Sequence, residues 1–191
     1  MKSLITSRTA PSESGNIQEN IFIYNNLVYN TGVKCGAGIK VAKNSDIVSG
    51  LIQNVFIYNN SIYGTDQQGL YVNFPNVKNI AFVNNISVAT NAPSLALTDG
   101  INEQTVFIKN NILGNTPTHA HASNFILETA NDANALFVDV TLEDFSLKQN
   151  SYAIDKAFDK EVFGKKCVPT EDIVNVKRPR GKSYDVGAYE F

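Results

Sequence analysis

The stretch NVFIYNNSIYG, Asn54 to Gly64, decides the fold, because it returns as NIFIYNNLVYN at Asn20 to Asn30, NIAFVNNISVA at Asn79 to Ala89 and TVFIKNNILGN at Thr105 to Asn115. Each copy carries a run of β-branched and aromatic residues that alternates with period 2 and then meets two consecutive asparagines. The pairs are Asn25 and Asn26, Asn59 and Asn60, Asn84 and Asn85, and Asn110 and Asn111, at intervals of 34, 25 and 26 residues. Self-similarity at such a period marks an architecture of stacked units. A helical repeat needs 3.6-residue periodicity, and these apolar runs are too short and too strictly alternating for it. A leucine-rich repeat lacks its leucine ladder here, and a propeller blade needs about 40 residues. What remains is a solenoid of short parallel strands, in which each turn of chain shares its core only with its neighbours.

A second short segment falls between the copies: GIKVA at Gly38, GLYVN at Gly69, SLALT at Ser94 and, as a weaker fourth, NFILE at Asn124. Alternation sends Ile21 and Ile23, Val55 and Ile57, Ile80 and Phe82, and Val106 and Ile108 inward. In the second segment Ile39 and Val41, Leu70 and Val72, Leu95 and Leu97, and Phe125 and Leu127 do the same. The longer first interval reads as an insertion of about nine residues within AKNSDIVSGLIQ, Ala42 to Gln53. Asparagine, 24 residues of 191, then has two uses. It tolerates the left-handed conformation of a tight bend, and its amide, repeated about every 4.8 Å from turn to turn, forms a ladder of donors and acceptors. The expected fold is all-β: a right-handed parallel β-helix of about four coils over residues 1–134, with an irregular cap over 135–191. A short helix is expected over Tyr152 to Phe163, and Val186, Tyr189 and Phe191 are expected to cover the exposed solenoid end.

Composition narrows the function. A formal net charge of −2 gives no global attraction to nucleic acid or an anionic bilayer. No stretch approaches the roughly 20 apolar residues of a membrane helix, and MKSLITSRTAPS lacks the apolar core of a signal peptide. Localisation is therefore left open, extracellular if the chain is part of a secreted protein. Cys35 and Cys167 match no metal or redox spacing, and their pairing is open.

The strand and Asn–Asn copies, together with FVD at Phe137, DFSLKQNSYAID at Asp144 to Asp155 and DVGAYEF at Asp185 to Phe191, resemble the C-terminal part of the right-handed parallel β-helix proteins of the pectate-lyase-like superfamily. Many members end in a Ser-Pro-Ala-Ile-Asp element and close on Gly-Ala-Tyr-Glu; here Tyr152 stands where proline is usual. The resemblance implies a carbohydrate-active protein, part of a polysaccharide- or oligosaccharide-cleaving enzyme, with a non-catalytic glycan-binding or structural rod as the alternative. Relatives carry more coils and an N-terminal cap of their own. A companion polypeptide supplying further coils is therefore an expected partner, and the apolar outward stripe of Phe22, Tyr24, Phe56 and Tyr58 is expected to lie under the C-terminal tail, the insertion or such a partner.

The outward residues of the second segment, Lys40, Tyr71 and Ala96, with Asp46 and Asp66 in adjoining loops and Asp99 past a strand end, form the candidate site. Hydrolysis needs two carboxyl groups roughly 5 to 9.5 Å apart, which casts Asp46 and Asp66 as acid and nucleophile, with Tyr71 and Asp99 contacting sugar. A lyase instead needs a base, Lys40, beside calcium on hard oxygen ligands. No dedicated metal site is expected otherwise. His119 and His121 lack a carboxylate partner and read as solvent-facing or satisfied, and KRPRGK, Lys177 to Lys182, reads as a solvated loop.

Overall fold

Three parallel sheets wrap one apolar interior in the computed structural model, which describes residues 5–7, 17–31, 36–42, 50–114, 117, 122–127 and 130–191. Sheet A contains β1 (Ile5–Ser7), β4 (Ile39–Ala42), β7 (Leu70–Asn73) and β10 (Leu95–Leu97). Sheet B contains β2 (Ile17–Tyr24), β5 (Leu51–Tyr58), β8 (Val77–Val83) and β11 (Val106–Lys109). Sheet C runs in the order β13 (Phe125–Ile126), β12 (Ile112–Leu113), β9 (Ile86–Ala89), β6 (Ser61–Thr65) and β3 (Leu27–Tyr29). The chain visits B, C and A in rotation, so each strand pairs with its equivalent one turn away. Two antiparallel hairpins follow, β14 (Phe137–Asp139) with β15 (Asp144–Leu147) and β16 (Glu161–Val162) with β17 (Lys165–Lys166).

Period-2 alternation places the core as the sequence requires. Ile21, Val55, Ile80 and Val106 share one register column of sheet B, and Ile23, Ile57, Phe82 and Ile108 share the next. They meet Ile39, Val41, Leu70, Val72, Leu95 and Leu97 of sheet A in a single cluster. Ile57, Ile80, Phe82, Leu70 and Leu95 have no exposed surface, and burying each such side chain stabilises the fold by roughly 1.5–3 kcal/mol.

The asparagines of a pair divide the labour between them. The first member makes the bend: Asn25, Asn59, Asn84 and Asn110 all have φ between 50° and 57°, a left-handed geometry that asparagine enters at little cost. The second member makes the ladder. Asn26 Nδ2 donates to Asn60 Oδ1 at 2.9 Å, Asn60 Nδ2 to Asn85 Oδ1 at 2.9 Å, and Asn85 Nδ2 to Asn111 Oδ1 at 2.9 Å. Each of these oxygens also accepts the backbone N–H of the donating asparagine. A fifth rung is Asn124, whose Oδ1 takes both donors of Asn111. It lies only 13 positions further along and stands alone rather than in a pair, which hid it in the sequence.

That rung corrects the reading of NFILE. Because Asn124 occupies the ladder position, Phe125 and Ile126 follow the bend and pair with Ile112 and Leu113 in sheet C. Phe125 is 36% exposed rather than inward, and Leu127 is buried in the cluster outside sheet C. The strands of sheet C were missed because runs of two to five residues are too short to show a period. Residues 51–53 belong to β5, with Ile52 buried in the core, so the extra chain of the first interval falls before them.

The C-terminal segment also differs from expectation. No helix forms over Tyr152 to Phe163; turns lead into the β16–β17 hairpin, with Asp155, Phe163 and Gly164 at φ of 58°, 49° and 71°. Tertiary hydrogen bonds outcompete the helix there. Asn84 Nδ2 donates to Phe158 O and its Oδ1 accepts from Phe158 N, while Asn110 Nδ2 donates to Lys156 O. Val186 and Tyr189 pack beside the wall of sheet C rather than across a solenoid end, and Phe191 is 48% exposed. Gly187 donates its N–H to Asn84 O, and a Cβ at Gly187 would lie 2.7 Å from Ile86 Cδ1. Only glycine allows that approach at its φ of 95°.

Candidate functional site

Sheet A turns an outer face of Lys40, Tyr71 and Ala96 to one register column. The four-residue strands β4 and β7 alternate, so Ile39 and Val41 anchor below while Lys40 stands outward, and Leu70 and Val72 do the same for Tyr71. Lys40 Nζ sits 5.4 Å from the centre of the Tyr71 ring, within range of a cation–π contact. The Tyr71 hydroxyl donates to Asn73 Oδ1 at 3.1 Å, which fixes the ring's tilt. Both side chains remain partly exposed.

The aspartates lie apart from this pair. Asp66 follows β6 and accepts a hydrogen bond from Asn91 Nδ2 at 2.7 Å, one turn away. Asp99 is exposed beyond the end of β10. A strand of three or four residues separates the two loop ends, on the order of 10 Å, so Asp66 and Asp99 bracket the column rather than converging on one bond. Asp46 lies outside the described residues, as do His119, His121 and Cys35. Among the described residues no group of three His, Cys, Asp or Glu is placed to hold a metal. The described residues therefore do not supply the oxygen cluster that calcium requires.

The opposite wall of the solenoid is taken up by the chain itself. Phe56, Tyr58, Ala81 and Val83 on the outer face of sheet B are buried beneath Val162 and Cys167, with Phe107 and Phe158 at the border. Burial pushes the Cys167 thiol up to about 11 and raises the Tyr58 phenol well above its ordinary range. The tail is tied down through the bend asparagines: Asn25 Nδ2 donates to Glu171 O, and Asn59 Nδ2 to Asp185 O and Gly187 O. A groove of about 400 Å³ opens where the tail crosses the first turn, between Tyr24, Tyr58, Glu171 and Asn175. Residues more than a hundred positions apart form it, so no local motif announced it.

The sequence also hid a buried charge cluster beside this wall. Arg178, read as part of a solvated basic loop, is buried, and its Nη1 lies 3.2 Å from Glu190 Oε2. Its guanidinium also donates to Asp185 O and Gly187 O. Asp185 accepts the N–H groups of Asp155 and Phe191, Glu190 those of Arg180 and Asp185, and Asp172 those of Val174, Val176 and Glu190. Every carboxylate is occupied by backbone. The cluster is a knot holding DVGAYEF in place, and its acids are not offered to a ligand.

No protein-family model matches the chain, and no curated protein matches it.

Proposed function

We propose that this chain is a carbohydrate-active protein of the right-handed parallel β-helix type, laying an extended glycan along the outer face of sheet A. The right-handed sense is the one that parallel strand crossovers adopt almost without exception. The single observation that carries the function is the Lys40–Tyr71 pair: a partly exposed aromatic ring, hydrogen-bonded to Asn73 and flanked by an ammonium, on the outer face of sheet A. A tyrosine face stacks on the apolar face of a sugar ring, and Lys40 takes a uronate carboxylate or a ring hydroxyl. Asp66 and Asp99, bracketing the column, contact hydroxyls of the neighbouring residues.

The membership in the pectate-lyase-like superfamily and the catalytic role rest on the sequence resemblance. In the cleaving reading Asp46 and Asp66 act as general acid and nucleophile, with Lys40 as the base if the chemistry is elimination. The non-catalytic reading is favoured by one observation, the occupation of Asp66 by the Asn91 amide. The test is incubation with neutral xylan-type oligosaccharides and with uronate polymers, with binding and products measured together. Retention that falls at least tenfold in Tyr71→Ala supports the face. New reducing ends lost in Asp66→Asn support hydrolysis, and an unsaturated product lost in Lys40→Met supports elimination. Unchanged retention by Tyr71→Ala would remove sheet A from consideration.

A further inference from the structure

The surface of the C-terminal tail is more basic than its sequence. Residues 152–191 are near balance, with eight Lys and Arg against seven Asp and Glu. The fold upsets that balance, because the knot buries three of the acids, Asp172, Asp185 and Glu190, and one of the cations, Arg178. Seven cations, all exposed, are left beside four acids, Asp155, Asp159, Glu161 and Glu171. The chain as a whole carries a formal charge of −2, so this excess is local, and a local excess is what draws a charged polymer to one part of a surface.

Three lysines on or beside this surface are held by aromatic rings. Lys109 Nζ lies 4.6 Å from the centre of the Phe158 ring, Lys166 Nζ 5.4 Å from that of Tyr184, and Lys156 Nζ 5.8 Å from that of Tyr152, all within cation–π range. Lys166 Nζ also donates to the Tyr184 hydroxyl at 3.4 Å. Backbone contacts make the three pairs neighbours. Asn110, adjacent to Lys109, donates its Nδ2 to Lys156 O at 2.8 Å, and Ala157 N donates to Tyr184 O at 2.9 Å. Among the described residues none of the three ammoniums belongs to an ion pair. A ring restrains the long lysine stem without neutralising its charge, so less side-chain freedom is lost when an anion arrives.

We propose that Lys109, Lys156 and Lys166 form a binding surface for a polysaccharide that bears anionic groups, either uronate carboxylates or sulfate esters. The surface lies on the tail and the end of β11, apart from sheet A, and does not rest on the reading of Lys40 and Tyr71. A polymer with repeated anions meets several of these ammoniums at once, and a lysine ammonium is a compact point charge that accepts either kind of anion. A nucleic acid fits less well. Single strands are held by bases stacking on open aromatic faces, whereas Tyr152 is stacked on Phe125, Phe158 packs on Phe107, and each of these rings also carries an ammonium.

Native gels containing a uronate polymer or a sulfated polysaccharide test this, at about 0.15 M salt, where screening shortens electrostatic reach to about 8 Å. The 191-residue chain carries Tyr71→Ala throughout, so that the tail is read separately from sheet A. Slowed migration in at least one polymer is expected, and the polymer that gives it identifies the anion. The apparent affinity should fall about tenfold or more when Lys156→Gln and Lys166→Gln are added. It should persist when Lys78→Gln and Lys148→Gln are added instead, which remove the same charge from exposed positions elsewhere. An unreactive Cys167 thiol in every variant shows that the tail is still seated. Unaltered migration in both polymers, or equal loss in the two lysine pairs, would overturn the proposal. Tighter binding of a nucleic acid than of either polymer would also overturn it, by making nucleic acid the occupant.

Discussion

The outer faces of sheets A and B belong to the same turns of the same chain and have opposite fates. On sheet B the outward columns are Phe56, Tyr58, Ala81 and Val83, and the segment around Val162 and Cys167 closes over them. On sheet A the outward column is Lys40 and Tyr71, which keep partial exposure and touch each other. The inward residues of the two sheets are interchangeable in kind, all aliphatic or Phe, and pack into one core. Outward chemistry separates them: the apolar columns are covered over Phe56, Tyr58, Ala81 and Val83, with Phe22 and Tyr24 still partly exposed, while a column carrying a charge and a hydroxyl can stay in water. One face is therefore largely covered by the chain itself, and the other stays partly in water.

The sharpest way to break the covered face is to remove the knot that holds its cover. Arg178→Ala strands the buried Glu190 carboxylate and two backbone carbonyls, and loss of one partner of such a pair costs about 3–5 kcal/mol. Denaturant melts should show that loss. Cys167, unreactive toward a thiol reagent at neutral pH because burial raises its pKa to about 11, should become labelled in the variant.

Asn85→Leu attacks what the two faces share. It removes the acceptor for both Asn60 donors and the donor to Ile57 O and Asn111 Oδ1. Each buried group left unpaired costs about 1–3 kcal/mol. Asn26→Leu should cost distinctly less, since Asn26 is only partly buried and, among the described residues, makes no backward bond. Equal losses in the two variants would show that the ladder contributes little beyond its bends.

The pH profile probes the knot more gently. Burial raises the Glu190 carboxyl above its ordinary 4.5 and the Asp185 carboxyl above 3.8. A raised carboxylate makes the folded state bind protons more tightly than the unfolded one. Its stabilising contribution is full below the unfolded pKa and is lost as pH rises through the folded one. Stability attributable to Glu190 should therefore decline as pH rises from about 4.5, and Glu190→Gln should flatten that stretch of the curve.

The smallest effect on stability belongs to the open face. Tyr71→Ala removes a partly exposed ring that meets Lys40 and hydrogen-bonds Asn73, so its melt should shift by under about 0.5 kcal/mol, while glycan retention falls. A large destabilisation would mean that Tyr71 belongs to the core after all.

The repeated strand and Asn–Asn stretch was enough to determine the parallel stacking, the inward columns and the presence of a ladder, because period 2 and the recurrence of an amide are local properties of a chain. It did not reveal sheet C, whose strands are too short to show a period, nor the rung at Asn124, which breaks the spacing. Tertiary structure alone decided which asparagine of each pair bends and which forms the ladder, since both are the same residue and only their neighbours differ. It alone also turned Tyr152 to Phe163 from an expected helix into turns, made Arg178 a buried anchor, and drew Tyr24 and Glu171 to one groove. At the site, the sequence placed Lys40 and Tyr71 on one column because register follows alternation. The distance between Asp66 and Asp99 depends on how loops leave opposite ends of stacked strands, and no local pattern encodes that.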